Sequence, residues 1–359
     1  IGAEAMEAGI RTVTFVDTGA GTDDLTVAAE FTAALTVNLD NDTSGLNTVD
    51  ASAYTGVLTV NANATDLNAT TSVLTGGTST SDVLAITADA ASAAIVTSIT
   101  DIENITVVGD AGAFNWTGVN ANADDGTTIT IDATSLGGTN AATIDMTLEA
   151  NASVVVKGGA GADVITISAS DLAESVIAGA GADTINFASA NLTSIDVIDG
   201  GIGTDTMKVS DDVAIVDADF TNVTNVETLS STGTGISTIV TLGAEAMGAG
   251  IATVNLIDTG AATDSVTVGA GFTSALTVDL DGSAVNTVDA TNYTGALTVT
   301  AAETEMDDAV MVLTGGSGSD TLTITTNSTA TSLVAANLDS ITNFETFKLH
   351  LYYLQLIEH

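Results

Sequence analysis

Gly158-Gly159-Ala160-Gly161-Ala162-Asp163-Val164-Ile165-Thr166 fits the pattern G-G-x-G-x-D-x-U-x, with U a large apolar residue, at every fixed position. Glycines at set places let a short loop take backbone angles closed to other residues. The x-U-x that follows reads as a strand whose apolar side chain points into a core. A loop and strand of this kind form the repeating unit of a parallel β-roll, in which each coil stacks on the one before. The expected fold is therefore all-β, a right-handed parallel β-solenoid of the β-roll or β-helix kind. Tandem β-sandwich domains are the alternative, and the lack of a period near roughly 100 residues argues against them.

Working outward, Gly200-Gly201-Ile202-Gly203-Thr204-Asp205-Thr206-Met207-Lys208 and Gly315-Gly316-Ser317-Gly318-Ser319-Asp320-Thr321-Leu322-Thr323 are full matches as well. Ala178-Gly179-Ala180-Gly181-Ala182-Asp183 and Thr18-Gly19-Ala20-Gly21-Thr22-Asp23 lose only the first glycine. Three weaker echoes read as structural turns. Gly76-Gly77 reaches Asp82 one residue late without a third glycine, Gly260 reaches Asp264 with Ala262 where a glycine is wanted, and Gly137-Gly138 has no aspartate in place.

Such a loop brings carbonyl oxygens and one carboxylate together, which is the donor set of a hard cation. The expected cofactor is Ca2+, held in loops along one edge of the solenoid. The candidate ligand positions are Gly158, Gly159, Gly161 and Asp163; Gly179, Gly181 and Asp183; Gly200, Gly201, Gly203 and Asp205; Gly315, Gly316, Gly318 and Asp320; and Gly19, Gly21 and Asp23. Asp163, Asp183 and Asp205 are separated by 183 − 163 = 20 and 205 − 183 = 22 residues. Nonapeptides alone would return after about 18, so each coil is expected to carry one such loop and one ordinary loop. Between Asp163 and Asp183 the ordinary side would be residues 168–175. The competing reading is a set of glycine turns with solvated aspartates.

Composition narrows the partners. The chain has 359 residues, with 46 Asp and Glu against 4 Lys and Arg, for a formal charge of −42. That balance argues against nucleic acid and anionic membrane surfaces. Apolar residues make up 45% and charged ones only 14%, so this is no disordered acidic tail. With no cysteine, disulfides, zinc-thiolate sites and thiol catalysis are excluded, and the lack of proline suits long backbone ladders. No apolar run reaches the ~18 residues that a membrane helix needs. The opening Ile1-Gly2-Ala3-Glu4 reads as an excerpt from a longer protein.

The sequence also repeats on a larger scale. Gly2-Ala3-Glu4-Ala5-Met6 returns as Gly243-Ala244-Glu245-Ala246-Met247, an offset of 243 − 2 = 241. Asn47-Thr48-Val49-Asp50-Ala51 returns as Asn286-Thr287-Val288-Asp289-Ala290, an offset of 286 − 47 = 239. The organisation read from this is one repeat copy over 1–109, a central segment with the glycine–aspartate loops over 110–240, a second copy over 241–348, and an atypical tail over 349–359. A shorter phrase recurs as Ile99-Thr100-Asp101-Ile102-Glu103-Asn104-Ile105, Val223-Thr224-Asn225-Val226-Glu227-Thr228-Leu229 and Ile341-Thr342-Asn343-Phe344-Glu345-Thr346-Phe347. Each follows a loop by 21 to 25 residues, about one coil. Its alternation reads as a strand, with the glutamate on a solvated or loop-side face. Short helices are expected near 3–9, 244–250 and 91–96.

The nonapeptides together with the Thr-Asn-Val-Glu-Thr-Leu phrase resemble the RTX-type (repeats-in-toxin) calcium-binding surface-layer proteins and giant adhesins of Gram-negative bacteria and cyanobacteria. The resemblance is detailed over 158–229 and 313–347 and compositional elsewhere. It implies secretion to the extracellular face of a bacterial cell, calcium-driven folding, self-association into a lattice or filament, and contact with lipopolysaccharide or glycan. The isolated loops of this chain depart from the long uninterrupted runs of that family. A glycan- or ice-binding adhesin module is the alternative function. A polysaccharide-degrading β-helix enzyme is the third reading. Only Arg11, Lys157, Lys208 and Lys348 could serve it as cationic bases, and both histidines lie in the tail. No catalytic residue is assigned.

Overall fold

A computed structural model describes residues 1–16, 22–39, 46–67, 72–88, 98–168, 172–231, 237–256, 263–280, 285–306, 311–326 and 338–351. It is a parallel β-solenoid with very little helix. Strand pairs such as Leu35–Asn38 with Leu58–Asn63 and Leu276–Leu280 with Leu297–Ala302 run parallel and in register over several residues. Sandwiches need antiparallel neighbours, so that alternative falls.

The chain forms two compact units, Ile1–Ile185 with Val197–Gly203, and Asn186–Asp196 with Thr204–His359. Each holds one repeat copy together with part of the central segment. In the first unit a long sheet runs from Thr12–Thr14 through Leu35–Asn38, Leu58–Asn63, Val83–Thr87, Asn104–Val108, Thr128–Asp132, Ser153–Lys157 and Ser175–Ile177 to Val197–Asp199. In the second, one sheet runs from Thr206–Val209 through Thr228–Ser231, Thr253–Leu256, Leu276–Leu280, Leu297–Ala302 and Thr321–Thr326 to Thr346–Leu351. A companion sheet there runs from Val213–Ile215 to Ile341–Thr342.

Every second residue of these strands points inward, so like residues stack coil on coil. Val37, Val60, Leu84, Ile105, Ile131, Val156, Val176 and Ile198 form one such column. All are essentially buried. β-Branched side chains suit this half-buried pleated surface, and each such buried side chain contributes about 1.5–3 kcal/mol. Pitch varies because the loops differ. In the long sheet of the first unit, partners lie as few as 175 − 155 = 20 and as many as 130 − 104 = 26 residues apart.

The repeat copies fold alike in detail. Tyr54 and Tyr293 are both fully buried, packing on Phe31 and Phe272 with ring centroids 6.1 and 6.0 Å apart. Their hydroxyls donate to the carbonyls of Ala33 and Ser274, and also to those of Val57 and Ala296 at 3.2 Å. Of the expected helices, Ala3–Glu7 and Ala244–Ala249 form. The one over 91–96 lies outside the described residues.

Candidate functional site: the glycine–aspartate loop stack

In the loop that opened the reading, the Asp163 carboxylate turns into the protein and is about 1% exposed. Its Oδ1 accepts the Ala142 N–H of the preceding coil at 2.6 Å, and its Oδ2 accepts the Gly159 N–H of its own loop at 2.7 Å. Ala142 begins a strand, where a ladder acceptor is missing on the next coil, and the side chain supplies it. A buried N–H without an acceptor costs about 1–3 kcal/mol, so each aspartate offsets two such losses.

Asp320 repeats the arrangement, accepting Leu297 N–H at 2.9 Å and Gly316 N–H at 2.6 Å. Asp82, in the loop that lacks the third glycine, does the same with Leu58 N–H at 2.9 Å and Gly77 N–H at 2.7 Å. Asp264, from another weak echo, accepts Thr238 N–H at 2.7 Å, and Asp183 accepts Asp163 N–H at 2.7 Å. Asp205 is fully buried. Asp23, the repeat counterpart of Asp264, is partly exposed. Gly19 and Gly21 lie outside the described residues. Gly137 N–H, with no aspartate in its own coil, is served by Asp110 Oδ1 of the coil before at 2.9 Å.

The recurring glutamates belong to this system. Glu103 Oε2 accepts Asp82 N–H at 3.2 Å, Glu227 Oε2 accepts Asp205 N–H at 2.8 Å, and Glu345 Oε2 accepts Asp320 N–H at 2.7 Å. Each glutamate thus takes, one coil later, the place an aspartate takes in the run from Asp163 to Asp183. Reading these glutamates as solvated is corrected at Glu103, which is buried. A strand-like alternation reveals which face a residue starts from; it does not reveal that a longer side chain folds back onto the previous coil. The available signal was the spacing, since 103 − 82 = 21, 227 − 205 = 22 and 345 − 320 = 25 are each one coil.

The glycines permit close stacking. A Cβ on Gly179 would run into Gly159 O, one on Gly181 into Gly161 O, and one on Gly318 into Gly295 O. Gly179 also holds φ 112°, which side chains rarely adopt. Direct loop-to-loop bonds close the stack. Ala180 N–H donates to Gly159 O at 3.0 Å and Ile202 N–H to Gly179 O at 2.8 Å, and Ala180–Gly181 pairs with Ile202–Gly203. Gly200 and Gly201 form the turn ahead of that pair, where Gly201 N–H donates to Asp199 Oδ1 at 3.0 Å.

These contacts bear on the expected cation. The chemistry of the donors suits calcium. Their disposition does not make a cage, because both carboxylate oxygens of Asp163 and of Asp320 face backbone N–H groups, as do the Gly159 and Gly179 carbonyls. Among the described residues, no three His, Cys, Asp or Glu side chains gather into a group fit to hold a metal ion. Burial raises the Asp82, Asp163 and Asp183 carboxyls above the ordinary aspartate value, and the Asp163 charge adds to the effect at Asp183. Burial likewise pushes Glu103 up to about 7.

Fold and loop stack together define a class, the parallel β-solenoid with a buried carboxylate ladder. No family model, curated protein or solved structure matches the chain.

Proposed function

We propose that the chain is a non-enzymatic structural segment of a secreted bacterial surface protein of the surface-layer or giant-adhesin kind, acting by packing against further copies to form a coat. The observation that carries this reading is the loop stack, in which the most chemically distinctive residues serve neighbouring coils. Calcium enters as a counter-ion. With the loop carboxylates turned inward, the outer acidic residues of a chain carrying −42 are the ones that repel a second copy, and a divalent cation bridging them removes that repulsion. Electron microscopy and light scattering of the purified chain in calcium, in magnesium and in chelator test the proposal. Ordered sheets or fibres that form with calcium support it. A chain that stays dispersed in calcium at all concentrations overturns it.

A further inference from the structure

The two repeat copies place the same first coil in two settings. In the second copy, the segment Gly243 to Leu256 lies against the coil that carries the Val223 to Leu229 phrase. Thr228–Ser231 pairs with Thr253–Leu256 in register, Thr228 to Thr253 and Leu229 to Val254. Val226 N–H donates to Ala249 O at 3.0 Å, and Glu227 O accepts Ala252 N–H and Thr253 N–H at 2.9 and 3.0 Å. This joint buries Ala246, Ala249 and Ile251.

The first copy carries the matching face, Gly2 to Phe15, with its local structure already set. Ile10 N–H donates to Ala5 O at 3.1 Å as Ile251 N–H does to Ala246 O at 3.2 Å. Thr36 N–H donates to Arg11 O at 2.9 Å, as Thr277 N–H does to Ala252 O at 2.9 Å. Yet Ile10 is 39% exposed where Ile251 is 2% exposed, and the helix Ala3–Glu7 buries no residue. A Cβ on Gly250 would lie 3.3 Å from Val226 O, whereas one on Gly9 would meet nothing. Thr12–Thr14 is the outermost strand of its sheet.

The other half of the joint is duplicated as well. The phrase Ile341 to Phe347 repeats Val223 to Leu229, with Asn343 and Asn225 both in left-handed backbone at φ 58° and 54°. Thr346 N–H donates to Asp320 O at 3.1 Å, as Thr228 N–H does to Asp205 O at 3.0 Å. Thr346–Leu351 is again an outermost strand, and Phe347 is 50% exposed where Leu229 is 1% exposed.

We infer that these two faces join head to tail between copies of this chain, reproducing the internal joint. The register is then Thr346 to Thr12, Phe347 to Val13, Lys348 to Thr14 and Leu349 to Phe15. Phe344 N–H would donate to Ala8 O, and Glu345 O would accept from Arg11 and Thr12. Unpaired parallel edges of matching register are templates for strand addition. Charge favours the match, since Arg11 and Lys348, two of only four basic residues, lie on the two faces. One internal feature has no counterpart: Asp217 accepts Gly243 N–H at 2.7 Å, and the position 217 + 118 = 335 is Ala335. A contact between two different faces does not close on itself, so it builds an open filament.

The inference rests on the coat-forming reading and specifies one of its contacts. The test uses Ile10→Asp, which spoils only the first face, and Phe347→Asp, which spoils only the second, each checked for an intact β spectrum by circular dichroism. In sedimentation velocity with chelator present, the parent chain is expected to form a concentration-dependent series of oligomers. Each variant alone is expected to stay monomeric, and an equal mixture to stop at a one-to-one dimer, joining the sound second face of one to the sound first face of the other. Arg11→Glu, a surface change, is expected to weaken the series most at low salt. Oligomers unaffected by Ile10→Asp and Arg11→Glu would overturn the joint. Calcium-dependent sheets that survive in Ile10→Asp would overturn it while leaving the coat reading intact, and a parent chain monomeric in both chelator and calcium would overturn both.

Discussion

The loops Gly76 to Asp82 and Gly158 to Asp163 differ in length by one residue and in whether a third glycine is present, yet their carboxylates make the same pair of backbone contacts. In the shorter loop Gly161 sits against Asn140 O, where a Cβ would collide. The longer loop has Ser79 in the middle, and its hydroxyl accepts Ser81 N–H at 3.2 Å. The difference teaches that the paired glycines and the aspartate answer to the neighbouring coils, while the third glycine answers only to the tightness of the shorter turn. A pattern match that scores all fixed positions alike ranks these loops far apart, although they do the same work for the fold.

The strongest way to break this equivalence is to remove the carboxylate from each loop. Asp82→Ala and Asp163→Ala each leave two buried N–H groups without acceptors, so each is expected to cost about 2–4 kcal/mol, measured by urea denaturation. A marked loss at Asp163 alone would mean that the full motif has a role the weaker loop lacks. Next in size is crowding of the paired glycines. Gly76→Ala would drive a Cβ into Asp101 O, and Gly158→Ala one into Ala178 O, each for about 1–3 kcal/mol. Gly161→Ser should be costly as well, even though the longer loop already carries Ser79.

The smallest effect sharpens the comparison at the end of the ladder. Glu103 is raised from 4.5 to about 7 by burial, so the folded state holds its proton more tightly than the unfolded chain does. Stability from this group is therefore fully present below about pH 4.5 and is lost as pH rises through about 7. Glu103→Gln keeps an oxygen acceptor for Asp82 N–H without the titration. The variant is expected to lose less stability than the parent between pH 5 and pH 8 in melting-temperature measurements, both values chosen to bracket that window. Identical pH slopes would show that Glu103 does not titrate across it.

Much of this architecture was legible in the sequence. Val, Ile and Leu at every second position, the loops of the Asp163, Asp183 and Asp205 run one coil apart, and the duplicated Tyr54 and Tyr293 neighbourhoods all pointed to stacked parallel coils. The carboxylate geometry was not legible. Gly, Gly and Asp at those spacings are what a cation loop needs, and they are also what two closely stacked turns need when a side chain must accept their N–H groups. Side-chain direction separates the two, and direction depends on the adjacent coil. For the same reason Glu103 read as an outward residue, and Gly137 gave no hint of Asp110 in the coil before it.

The central claim is that hydrogen bonds from backbone N–H groups to Asp82, Asp163, Asp264 and Asp320 hold the coils without an ion. Far-UV circular dichroism of the purified chain in excess chelator, followed by calcium and by magnesium titrations, tests it most directly. A β spectrum in chelator that neither cation changes is the predicted result. A coil spectrum in chelator that turns to β with calcium and not with magnesium would contradict it.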